Sequence, residues 1–100
     1  MNDFTPSIMQ DDVCCFISGV TSVELHRHHI FYGRANRKLS EQYGLWVWLT
    51  PMLHNLGGKN CVHENKKLDG GLKVLGQQKF MAHYGKTADE FRAIFGRNYL

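Results

Sequence analysis

The densest apolar stretch of the chain is Leu45–Leu49, LWVWL. It predicts a buried strand, because aromatic and branched side chains fit a pleated sheet. Leu25–Tyr32 predicts its hairpin partner, and Val13–Ile17, ended by Ser18-Gly19, predicts a further short strand. Gly33–Lys38, GRANRK, reads as a basic loop, and Leu39–Tyr43 as a helical turn stopped by Gly44. Thr50-Pro51 suits an N-cap followed by the first position of a short helix, which sets His54 about one turn in. Residues 56–67 read as a polar loop. Leu68–Tyr84 is the longest predicted helix. Leu68, Leu72, Leu75 and Ala82 lie roughly along one face with Phe80 nearby; Gly70, Gly71 and Gly76 weaken it and Gly85 ends it. Thr87 with Glu90 forms a capping box that opens a last helix, anchored by Phe91, Ile94 and Phe95 and stopped by Gly96. The pattern is α+β: a small antiparallel hairpin with helices around it, in a single domain over 13–100 preceded by a flexible lead-in, 1–12.

Composition narrows the class. The chain has 100 residues, enough for one domain, and 43% hydrophobic against 21% charged residues places it among globular proteins. No apolar run approaches the roughly 20 residues that span a bilayer. The first twelve residues carry acids and no basic run, unlike a secretory leader, so the expected compartment is the cytoplasm. Residues 1–24 hold four acidic residues and no Lys or Arg, while residues 25–100 hold twelve basic against five acidic ones, a balance of +7. A basic body suits a polyanion such as nucleic acid. Cys14, Cys15 and Cys61 are odd in number and lack C-x-x-C spacing, which argues against a disulfide framework or a structural zinc knuckle.

The chemistry concentrates in histidines. His26, His28 and His29 fall within four positions, and His54 follows the second strand. Neutral imidazole is both a common metal ligand and a base near neutral pH. On a strand His28 and His29 face opposite sides, so one can bind a cation while the other takes a proton. His54 at the start of a facing helix can complete the protein shell. Arg34, Arg37 and Lys38 are candidate phosphate contacts, with Lys66 and Lys67 broadening the surface. Trp46 and Trp48 share one strand face, where a core role outweighs base stacking. His26 reads as an exposed strand residue or a phosphate contact, and His83 as solvent-facing.

His28-His29-Ile30, the basic loop, the apolar strand and His54-Asn55 together resemble the ββα-metal motif of the His-Me finger (HNH) endonucleases. They are similar in particular to small phage and prophage members reading HHIF-G-x-x-NRK-x-S-x-x-YGL. The resemblance covers roughly residues 13–80. It implies a metal-dependent hydrolase of DNA phosphodiesters in a bacterial host cytoplasm. His29 would be the general base, and His28, His54 and His63 the ligands of one divalent ion, Mg, Mn, Zn or Ni. The chain departs from the family at Gly44, where members often carry an Asn that orients the base; Asn36 or Asn55 is the candidate substitute. It also lacks the family's C-x-x-C pairs. The alternatives are a catalytically inactive phage DNA-binding or inhibitor module on the same fold, and a purely structural metal-stabilised protein. DNA is the expected partner, with no membrane; homodimerisation stays open.

Overall fold

Two short strands, β1 (His26–His29) and β2 (Trp46–Leu49), pair antiparallel in a computed structural model that describes residues 5–21, 23–56 and 65–100, without the side chains of Asn55 and Leu56. The register sets His26 opposite Leu49, Arg27 opposite Trp48, His28 opposite Val47 and His29 opposite Trp46. Directly opposed residues share a face. One face of the pair therefore carries His26, His28, Val47 and Leu49, and the other Arg27, His29, Trp46 and Trp48. Helix α1 (Arg34–Tyr43) joins the strands, and a π-helical turn (Met52–Leu56) follows β2. Helices α2 (Lys66–Tyr84) and α3 (Ala88–Phe95) complete an α+β domain.

The expected basic loop is the first half of α1. The helix starts at Gly33 without a capping side chain, and Arg37 N–H already donates to Gly33 C=O at 3.1 Å. Its inner face is partly polar. Asn36 Nδ2 donates to Phe95 C=O, and Ser40 is fully buried. A hydrophobic period therefore under-reads it. Gly44 ends the helix as expected, in the left-handed region at φ 73°, where a Cβ would stand 2.4 Å from the Pro6 carbonyl oxygen.

Val13–Ile17 is not a strand. Phe16 N–H donates to Trp48 C=O, but the chain then turns, with Gly19 N–H on Cys15 C=O and Cys15 N–H on Val20 C=O. Cys15 is buried, while Val13 and Ile17 are exposed. From Thr5 onward the lead-in is bonded along the outer edge of β2. Ile8 N–H reaches Gly44 C=O, Ser7 Oγ reaches Trp46 C=O, and Gln10 Oε1 accepts from Trp48 N–H. A covered edge cannot template pairing with another chain.

The core lies between the hairpin and the last two helices: Ile30, Phe31, Leu45, Val47, Leu49, Leu72, Phe80, Phe91 and Phe95. Phe31 sits among Phe91, Phe95 and Tyr99, with ring centroids 4.9–5.2 Å away. Gly85 and Gly96 close α2 and α3 in the left-handed conformation, and the Thr87–Glu90 capping box forms with both of its bonds. Among the described residues no helix is long and apolar enough to cross a membrane.

Candidate functional site

The alternation along β1 sorts its histidines. His26 and His28 project toward the turn that carries His54, and His29 projects with Arg27 toward α1. Thr50 Oγ1 accepts from Leu53 N–H and Thr50 C=O from His54 N–H, so the Thr50-Pro51 start expected from sequence sets His54 over β1. His28 is 1% exposed, and its ring centroid lies 5.3 Å from that of His54. His26 Nδ1 is 3.1 Å from His54 Nδ1, and His26 Nε2 is 2.9 Å from Glu24 Oε2. His26 is thus not the bare exposed strand residue that the sequence suggests. It links Glu24 to His54.

These distances constrain the tautomers. A neutral imidazole donates through one nitrogen and accepts through the other. Glu24 only accepts, so His26 carries its proton on Nε2. With both rings neutral, His26 Nδ1 accepts from His54 Nδ1–H, which leaves the His54 lone pair on Nε2. A carboxylate acting through one ring on another is the kind of outer-shell support that metal-ligating histidines use. By donor chemistry, the His28 and His54 imidazoles fit a divalent cation of the softer kind. Among the described residues no three His, Cys, Asp or Glu side chains form a metal-binding group, so the fit is that of two imidazoles. His63, Cys61 and the Asn55 side chain lie outside the described residues.

On the other face, His29 Nε2 is 3.0 Å from Glu41 Oε1, and Arg27 pairs with Glu41 Oε2. Burial opposes ionisation of Glu41, but the hydrogen bonds from His29 and Arg27 outweigh it and hold the carboxyl below the usual glutamate range. Arg27 also lies over the Trp46 ring, 4.5 Å from its centroid. Trp46 is 4% exposed and edge-on to Trp48, in keeping with a core role.

Two cavities open beside His29. One, of about 510 Å³, is lined by Arg27, His28, His29, Tyr32, Arg34, Arg37 and His54. The other, of about 670 Å³, continues past His29 to Lys38, Glu41, Gln42 and Thr5. Arg27, His29, Arg34 and Arg37 line both, which makes them one basic cleft with His29 at its middle. Lys66 and Lys67, exposed on the first turn of α2, line neither cavity. Asn36 is turned to the α3 end and lines neither.

Sequence reasoning missed Glu41 and Arg27. Their spacing to His29 carries no motif: Arg27 stands two residues before it on β1, and Glu41 meets it only once α1 folds against the hairpin. It also missed Tyr32, whose hydroxyl donates to Asp69 at 2.9 Å while Lys73 pairs with Asp69 and caps the Tyr32 ring. Burial and then the Asp69 hydrogen bond push the Tyr32 hydroxyl pKa up. The arrangement can present a base, a cationic cleft for phosphate oxygens and two imidazole donors within one cavity. No protein-family model, curated protein or solved structure matches the chain.

Proposed function

We propose that the protein is a metal-dependent endonuclease of the His-Me finger (HNH) type that hydrolyses DNA phosphodiester bonds. The observation that carries this reading is that His28, His29 and His54 line one cavity together with three arginines, Arg27, Arg34 and Arg37. A phosphodiester needs cationic contacts, an activated water and relief of charge as the phosphorus becomes five-coordinate. Arg34 and Arg37 match phosphate oxygens as two-pronged donors. His29, backed by Glu41, is the group to take a proton from the attacking water. His28 and His54, with His63 as the further candidate from the family resemblance, are the residues that would hold a divalent ion; when bound, such an ion relieves transition-state charge and assists the leaving oxygen. All-imidazole donors favour Mn²⁺, Ni²⁺ or Zn²⁺ over Mg²⁺.

Gly44, the point of departure from the family pattern, cannot take an Asn without a clash at the Pro6 carbonyl, so any group that orients the base must come from elsewhere in this chain. The test is plasmid cleavage by metal-stripped protein, with Mg²⁺, Mn²⁺, Ni²⁺ and Zn²⁺ added back singly and His29→Ala run in parallel. Nicking or linearisation that requires both a metal and His29 is the expected result. Intact plasmid in every lane, from folded and metal-loaded protein that still retards DNA, would replace this reading with a binding module on the same fold.

A further inference from the structure

We propose that Glu41 is the positioning residue for His29: its carboxylate fixes the imidazole as the Nε2–H tautomer and makes Nδ1 the proton-accepting atom. The inference rests on the nuclease reading for its catalytic consequence, but its structural content stands on Glu41 alone. The carboxylate spans two partners, with Oε1 3.0 Å from His29 Nε2 and Oε2 on Arg27. An ionised carboxylate has no proton to give, so the proton of that bond belongs to His29 Nε2. The lone pair of the neutral ring is then on Nδ1. His29 is 13% exposed at its side chain, and it lines both halves of the cleft.

Arg27 keeps the arrangement from relaxing. Its guanidinium holds the second oxygen, so the carboxylate cannot rotate away without losing a charged partner, and Arg27 is itself held over Trp46. Helix α1, which carries Glu41, is pinned to the core by two bonds between Ser40 and Phe31 and by Asn36 on Phe95. Arg34, Arg37 and Lys38 face the same cleft from α1, and they add cations but no competing acceptor. A carboxylate that orders a catalytic imidazole in this way acts on kcat, because the ring must be both oriented and in the right tautomer before the proton moves.

The experiment is ¹⁵N NMR of the histidine ring nitrogens in metal-stripped protein, paired with steady-state plasmid nicking in Mn²⁺. It compares wild type, Glu41→Ala and Glu41→Gln. Expected are an Nε2–H His29 in the wild type and a mixed-tautomer His29 in Glu41→Ala. Nicking kcat should fall about 10–100-fold in Glu41→Ala with KM changed by less than about twofold. Glu41→Gln, which keeps an acceptor oxygen, should recover part of the loss. A wild-type His29 protonated on Nδ1, or Glu41→Ala protein that nicks at the wild-type rate, would overturn the proposal. The spectrum is read without metal or DNA. A wild type that never nicks therefore sinks the nuclease reading while the tautomer is judged separately, and a Glu41→Ala protein that fails to fold leaves the wild-type spectrum to decide.

Discussion

At the scale of single residues, Ser40 shows how a polar side chain serves a buried site. Its Oγ donates to Phe31 C=O at 2.6 Å and accepts from Phe31 N–H at 3.0 Å, so it does for Phe31 what a neighbouring strand would do. All of this is buried, and Phe31 stands two residues after His29 on the chain. Ser40→Ala leaves two buried backbone groups without that partner and should cost about 1–3 kcal/mol, read as a lower midpoint in urea unfolding. An unchanged midpoint would mean that Phe31 finds other partners. The same scale explains why the candidate site was only half legible. His28, His29 and His54 were visible because imidazole doublets are chemically distinctive. Glu41 was not, because one carboxylate on an exposed-looking helix carries no mark of the ring it will meet.

At the scale of elements, the strands and the ends of the helices were legible where local chemistry is strong. Trp46–Leu49 of the LWVWL run form β2, the T-x-x-E box opens α3, and glycines close α1, α2 and α3. Helix α1 was misjudged in its first half because its buried positions include Asn36 and Ser40, which no apolar period detects. Val13–Ile17 was misjudged because an apolar run makes a strand only where a partner pairs along it, and here one backbone bond to Trp48 is followed by a turn. The glycines of α2 divide in the same manner. A Cβ at Gly71 would meet nothing within 4 Å, while one at Gly76 would stand 2.8 Å from Ile30 Cγ2 and 3.2 Å from the Phe31 ring. Gly71→Ala should therefore stabilise the protein by about 0.5–1 kcal/mol through helix propensity. Gly76→Ala should destabilise it by about 1–3 kcal/mol through overpacking. Thermal unfolding of the two variants reads the opposite signs, and stabilisation by both would show that α2 does not pack closely on Ile30.

At the scale of the whole molecule, the hairpin divides labour between its faces. Arg27 and His29 look toward α1 and its cations, while His26 and His28 look toward His54. The basic excess read from the sequence is partly gathered, since Arg27, Arg34, Arg37 and Lys38 line one cleft while Lys66 and Lys67 stand apart from it. If phosphates bind there, the double variant Arg34→Gln/Arg37→Gln should lower the slope of log affinity against log salt for duplex DNA by about two, and Lys66→Gln/Lys67→Gln should lower it less. Equal effects would spread the interface beyond the cleft. The central claim, that one strand serves a metal on one face and a base on the other, is tested most directly by metal affinity. Calorimetric titration of Mn²⁺ or Zn²⁺ into folded His54→Ala and His29→Ala should show binding weakened at least about tenfold in the first and changed less than about twofold in the second. Equal weakening in both, or none in either, would contradict it.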